Sequence, residues 1–187
     1  MRAASGAAHC NADPSTNSSV GWFGSGTVTI YGHADSRLCG AFAANSSELP
    51  AYVADSLQDP STASATGVSP STARSVASAS GRQVFTLSSA QQRCVLSVGS
   101  DGFGMSCTTA DGLAKNGGQQ LVTSERDGSF EVFGLVGGTK ATVTTADGAR
   151  RQLAVSAAGA TVAAFTSKPT SITVDGARGT TTNQLSS

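Results

Sequence analysis

The chain has 187 residues, room for one domain and a small appendage, and enough length to bury a core. Twelve Lys and Arg balance twelve Asp and Glu, and charged residues are only 13% of the chain. A net charge of zero argues against a general binder of nucleic acid or anionic membrane, which needs a basic excess to displace counterions.

Apolar content of 39% is below the usual globular share, and Ser, Thr, Ala and Gly are abundant. The polar side of the molecule is therefore built of hydroxyls, which suit exposed strand faces and loops. Lys115, Lys140 and Lys168 are the only lysines, and this arginine bias points to high-GC coding rather than to chemistry.

From the N-terminus, Met1 to Ala8 is too short and too weakly apolar to be a complete signal peptide. No run approaches the ~20 apolar residues that span a membrane. The expectation is a mature form or an ectodomain whose targeting segment has been removed. Residues 1–19 read as a flexible segment tied down by Cys10, and residues 20–176 as one β-rich domain with a helical insert at about 47–77. Residues 177–187 read as a flexible tail with almost nothing to bury.

Within the domain, Trp22-Phe23 precedes an alternating strand, Gly26 to Tyr31, and Gly32-His33-Ala34-Asp35-Ser36 reads as a loop. Leu49, Val53 and Leu57 then form a helical stripe within Ser47 to Gln58, stopped by Asp59-Pro60. Ser61 to Gly67 reads as a polar linker. Ser69-Pro70 is an N-cap followed by proline at the first helical position, predicting a short helix to about Ala77.

From Val84 onward the pattern is strand and turn. Apolar residues alternate at Phe130/Val132, Ala141/Val143, Leu153/Val155 and Ile172/Val174. Further strands read at Thr161 to Thr166 and Ser171 to Val174. Asp-Gly occurs at residues 101, 111, 127, 147 and 175, and several of these should be strand reversals. Phe133 lies opposite Phe130 and Val132, which requires a sheet covered on both faces; a cover of helices is the expected arrangement. The fold class is mainly β, an antiparallel meander or small β-sandwich with two short helices in the N-terminal half.

Cys10, Cys39, Cys94 and Cys107 allow three pairings. The turn at 99–104 can bring Cys94 to Cys107, which leaves Cys10 for Cys39. The alternative is four free thiols.

Signals for chemistry are sparse. There is no G-x-S-x-G elbow. A hydrolase would have to use His33 with the neighbouring Asp35, whereas the simpler reading of His33 is a turn residue. A zinc site at His9, Cys10, His33 and Cys39 is a second alternative, though the adjacent His9 and Cys10 point opposite ways in extended backbone. Gly137-Gly138-Thr139-Lys140 and Gly102-Phe103-Gly104 lack the order of phosphate-binding loops and read as reversals. Glu125 and Glu131 read as exposed hairpin residues. No cofactor is expected. Phe103, at a glycine-rich hairpin tip, is the preferred contact residue, with Met105 and Trp22 beside it as further contact candidates.

Several segments together resemble a recurring pattern. They are Gly67-Val68-Ser69-Pro70-Ser71-Thr72-Ala73-Arg74-Ser75-Val76, Val84-Phe85-Thr86-Leu87, Cys94-Val95-Leu96 and Gly102-Phe103-Gly104-Met105-Ser106-Cys107, followed by Gly134-Leu135-Val136. The chain is similar over about Leu49 to Gly176 to uncharacterised secreted or single-pass-anchored β-rich proteins of high-GC Gram-positive bacteria. That resemblance implies an extracytoplasmic domain with a Cys94–Cys107 bridge, and it carries no activity or catalytic residue to transfer. The functional expectation is a non-enzymatic extracytoplasmic module that binds a protein or a cell-envelope component.

Overall fold

In a computed structural model the protein is described over residues 21–23, 27–33, 48–79, 81–99, 102–115, 119–126, 128–177 and 179–185, with backbone alone at 21–23, 27–33, 79, 115 and 119–126. The described residues form antiparallel sheets with short helices, the expected mainly β class.

A six-stranded sheet comes first. Its strands are β1 (Gly21–Phe23), β2 (Thr27–His33), β3 (Arg74–Ala79), β4 (Arg82–Ser88), β5 (Arg93–Gly99) and β6 (Gly102–Thr108), in the order β1-β2-β6-β5-β4-β3. A three-stranded sheet has β7 (Gln119–Arg126), β8 (Ser129–Val136) and β11 (Ala160–Phe165), in the order β11-β8-β7. A four-stranded sheet has β9 (Gly138–Thr145), β10 (Arg150–Leu153), β12 (Pro169–Gly176) and β13 (Gly179–Gln184), in the order β10-β9-β12-β13. The chain changes sheets at Gly137, between β10 and β11, and again between β11 and β12, which makes the last seven strands a sandwich.

Strand periodicity divides the apolar residues among three cores. On one face of the six-stranded sheet, Phe85, Leu87, Leu96, Val98, Phe103 and Met105 meet Tyr52, Val53, Leu57 and Val68. On its other face, Val84 and Val95 meet Phe133, Leu135 and Ala160 of the three-stranded sheet. The opposite face of β8, with Val132 and Val136, packs on Ala141, Val143, Ile172 and Val174. Phe133 is thus covered from its own side as the alternation required, but the cover is a sheet, not helices.

The N-terminal half corrects several boundaries. Helix α1 is Ala51–Gln58, buries Tyr52, Val53 and Leu57, and begins after Leu49-Pro50. Asp59-Pro60 ends it and also starts a second helix, α2 (Pro60–Thr66), where a linker was expected. The Asp59 carboxylate accepts a hydrogen bond from the Ser61 backbone N–H, proline occupies the first turn, and Gly67 closes the helix in a left-handed conformation. The same dipeptide that breaks one helix caps the next.

At Ser69-Pro70 the opposite correction applies. Only a 3-10 turn forms, Pro70–Thr72, and the chain then enters β3. Strand β3 pairs with β4 through a bulge near Val76, while Val76 and Ala77 pack on the core between the sheets. Tertiary pairing overrides the local helix signal.

The reversal expected at Asp147-Gly148 joins β9 to β10, and Gly128 lies in the reversal that joins β7 to β8, Asp127 and Asp101 lying outside the described residues. The Asp111-Gly112 pair lies inside helix α3 (Ala110–Lys115) because the Thr109 hydroxyl accepts the Gly112 N–H and caps that helix. The expected C-terminal tail is also corrected: Gly179–Gln184 is strand β13, paired with β12 from Gly176↔Gly179 to Ser171↔Gln184. Its low apolar content suits an edge strand, which needs backbone partners on one side only.

Candidate binding surfaces

The β5–β6 hairpin sets the first group of expected residues. Gly99 lies opposite Gly102, and five residues down the ladder Cys94 lies opposite Cys107. These cysteines form a disulfide with a Cα–Cα separation of 4.0 Å, both sulfurs buried in the helix-side core. Cys10, Cys39 and His9 lie outside the described residues, so the Cys10–Cys39 pairing and the zinc alternative do too.

Phe103 and Met105 are corrected as contact residues. Phe103 is 5% exposed and Met105 fully buried, because β6 continues to the tip of the hairpin and turns both side chains toward α1. The Phe103 ring lies 6.4 Å from that of Tyr52, whose hydroxyl donates to the Gly99 carbonyl at 3.3 Å. The aromatic at the tip packs locally instead of facing a partner. Trp22 is in β1 with its Cα opposite Val28. His33 ends β2 opposite Gly102, where a loop was expected, and Asp35 lies outside the described residues.

Glu131 is also corrected, from an exposed hairpin residue to a half-buried ion-pair partner. It shares the β8 face of Phe133 and Leu135, and so points at the six-stranded sheet. Its carboxylate forms an ion pair with Arg82, Oε2 lying 2.9 Å from Nε, and accepts from the Ser97 hydroxyl at 2.9 Å. Arg82 Nε also donates to Ser97 Oγ at 2.9 Å. The Arg82 and Glu131 side chains keep 16% and 12% of their exposure, so the charges are paired where the two sheets meet. The sequence signal was the parity of residue 131 with Phe133, which turns it inward.

The four-stranded sheet has a different outer face. Burial of Ala141, Val143, Ile172 and Val174 turns the intervening residues outward. The strand register lines them up in rows: Gln152, Thr142, Thr173 and Thr182; Arg150, Thr144, Ser171 and Gln184; then Lys140, Asp175 and Thr180. Thr173 Oγ1 and Thr182 Oγ1 are 2.9 Å apart, and the Thr180 hydroxyl donates to Asp175 Oδ1 at 2.7 Å. None of these outward residues is buried. The face is a lattice of hydroxyls with the charges of Arg150, Lys140 and Asp175 among them.

At one open side of the sandwich, Arg151 instead turns inward. Its guanidinium lies 5.3 Å from the Phe165 ring centre and donates to the Ala164 carbonyl at 2.8 Å. It covers an aromatic that would otherwise meet water. At the β9–β10 reversal, Asp147 accepts from the Thr145 hydroxyl at 2.6 Å and the Ala149 N–H at 3.1 Å. These donors, the Thr145 hydroxyl first, hold its carboxyl below the ordinary value of 3.8.

One cavity of about 450 Å³ lies at the end of the sandwich, where the β8–β9 crossing and the β10–β11 loop meet Arg93 and Leu113. Among the described residues, no His, Cys, Asp and Glu side chains gather in a group that could hold a metal ion, and no helix is long and apolar enough to cross a membrane.

Compared with protein-family models, curated proteins and solved structures, the chain matches none of them.

Proposed function

We propose that this protein is a non-enzymatic extracytoplasmic module that binds a component of the cell envelope through the outer face of its four-stranded sheet. The observation that carries the reading is the row register of that face. Threonine hydroxyls stand side by side on β9, β12 and β13, each with one donor and two acceptor lone pairs. A polyhydroxylated, weakly charged polymer such as an envelope glycan complements that lattice better than a polyanion, which the zero net charge would not attract. The buried Cys94–Cys107 bridge supports an oxidising compartment, where such bonds persist. The resemblance to secreted β-rich proteins agrees with that location.

Co-sedimentation of the oxidised protein with insoluble envelope polysaccharide tests the reading. The wild type is expected to pellet with the polysaccharide, and a variant carrying Thr142→Glu and Thr182→Lys is expected to bind at least about tenfold more weakly with an unchanged circular dichroism spectrum. Equal binding by both proteins contradicts the assigned face. Binding only to an envelope protein fraction contradicts the glycan.

A further inference from the structure

The cavity at the end of the sandwich has features that the glycan-binding reading does not use. Its floor is apolar: Leu135 and Val136 are 4% exposed, and half-buried Val155 and Leu113 continue the surface. The walls are backbone held in place by hydrogen bonds. Val136 N–H donates to the Gly159 carbonyl at 2.7 Å, Gly159 N–H to the Ser156 carbonyl at 2.9 Å, and Ser156 N–H to the Ala160 carbonyl at 2.8 Å. Two glycines permit this close approach. A Cβ on Gly159, whose φ is +77°, would come 2.8 Å from the Val136 carbonyl oxygen, and one on Gly138 would come 2.4 Å from that of Asp175. A pocket so constrained is already formed before any ligand arrives, and about 450 Å³ lies within the range of small-molecule sites.

Among the described residues, Arg93 supplies the one charged side chain of the lining. It opens β5 and is exposed, and its guanidinium makes no hydrogen bond or ion pair with any described residue. A guanidinium offers a planar fork of donors that matches a carboxylate. A cation without a partner among the described residues, beside an apolar floor, selects a ligand with both halves of that chemistry.

We propose that this cavity binds a small organic carboxylate with a compact apolar body, its carboxylate on Arg93 and its body against Leu135, Val136 and Val155. The site lies apart from the hydroxyl face, and its test is independent of the glycan reading. Two sources offer this chemistry, a short acyl chain and the C-terminal residue of a peptide. Hexanoate and N-acetyl-leucine represent them.

The experiment is an NMR titration of the oxidised full chain with each acid, following the amides of Gly137, Gly138 and Gly159. Saturable shifts at these glycines are expected with at least one acid, and the tighter ligand identifies the source. Acetate, which lacks the apolar body, and hexanol, which lacks the charge, are expected to bind about tenfold more weakly or worse. Arg93→Gln should cost a similar factor, and Ala157→Trp, which fills the mouth from an exposed loop position, should abolish the shifts. Both substitutions sit on exposed residues, and an unchanged spectrum elsewhere verifies their fold. Absence of saturable shifts with both acids, or equal affinity in Arg93→Gln, would overturn the proposal.

Discussion

The two outer sheets of this molecule differ in what covers them. The six-stranded sheet is packed on both sides, by α1 and α2 on one face and by the three-stranded sheet on the other, and its central strands β5 and β6 are almost wholly buried. Among the described residues, the four-stranded sheet is packed on one side only. Its inner face carries Val143, Ile172 and Val174, and its outer face carries threonine and serine. Covered on both faces, the first sheet has its disulfide, aromatic pair and ion pair committed to holding the fold. The open sheet has polar groups left for a partner.

Substitutions can sharpen that contrast. Phe133→Ala removes the largest side chain from the core between the sheets and should cost about 3–5 kcal/mol. Thr173→Ala on the open face should change stability by no more than about 0.5 kcal/mol. Urea midpoints measure both, and comparable losses would erase the distinction between the sheets.

Removing the disulfide with Cys94→Ala and Cys107→Ala should cost about 3 kcal/mol, the chain-entropy value for a short loop, here with a sequence separation of 13. The bond should also resist reductant until the protein unfolds, because both sulfurs are buried. A free-thiol assay against denaturant checks this. Rapid reduction of the native protein would place the hairpin outside the core.

Glu131→Gln leaves the Arg82 guanidinium without its counter-charge. The expected loss is about 2–3 kcal/mol, below the figure for a fully buried pair because both groups keep some solvent. A double-mutant cycle with Arg82→Gln should recover a favourable coupling. Zero coupling would mean that the pair contributes nothing to the joining of the sheets.

The smallest effect is a pH dependence at Asp147. Its folded carboxyl titrates below the unfolded value, so it favours folding above that value, and the contribution fades as pH falls through the folded one. The group is exposed, so the window is confined to pH below about 4–5. Asp147→Asn keeps the acceptor of the turn and should flatten that limb of the stability curve. An unchanged acid limb would mean that other carboxylates govern it.

Much of this organisation was legible from strand parity. The alternation at Ala141/Val143 and Ile172/Val174 gave the inner face of the open sheet, and the opposed Phe130 and Phe133 gave a middle sheet buried twice. What covers Phe133 was not legible, since β4 lies about fifty positions earlier in the chain and no local signal names a distant partner. The helix at Ser69-Pro70 was misread because capping residues describe how a helix starts, not whether β4 will claim the next six residues as a strand. The Gly-Phe-Gly segment read as an exposed tip because glycine signals a turn equally well when the strand runs to its end. Strand β13 was missed because its threonines bury little, and edge pairing is a backbone interaction that leaves no apolar pattern. The cavity could not be read at all, since Arg93, Gly138 and Gly159 come from separate segments that only the fold assembles.

The three-stranded sheet joins the two outer sheets into one cooperative body and, among the described residues, leaves the outer face of the four-stranded sheet open. Native-state hydrogen exchange across a denaturant series tests it most directly, by comparing amides in the middle of β5 with those in the middle of β9 and β12. Both groups should converge on one opening free energy, because β8 carries Val132 and Val136 in one core and Phe133 and Leu135 in the other, so that loosening either core loosens the strand that holds both. A lower-energy opening of β9 and β12, with β5 still protected, would contradict it and would make the sandwich an independent unit.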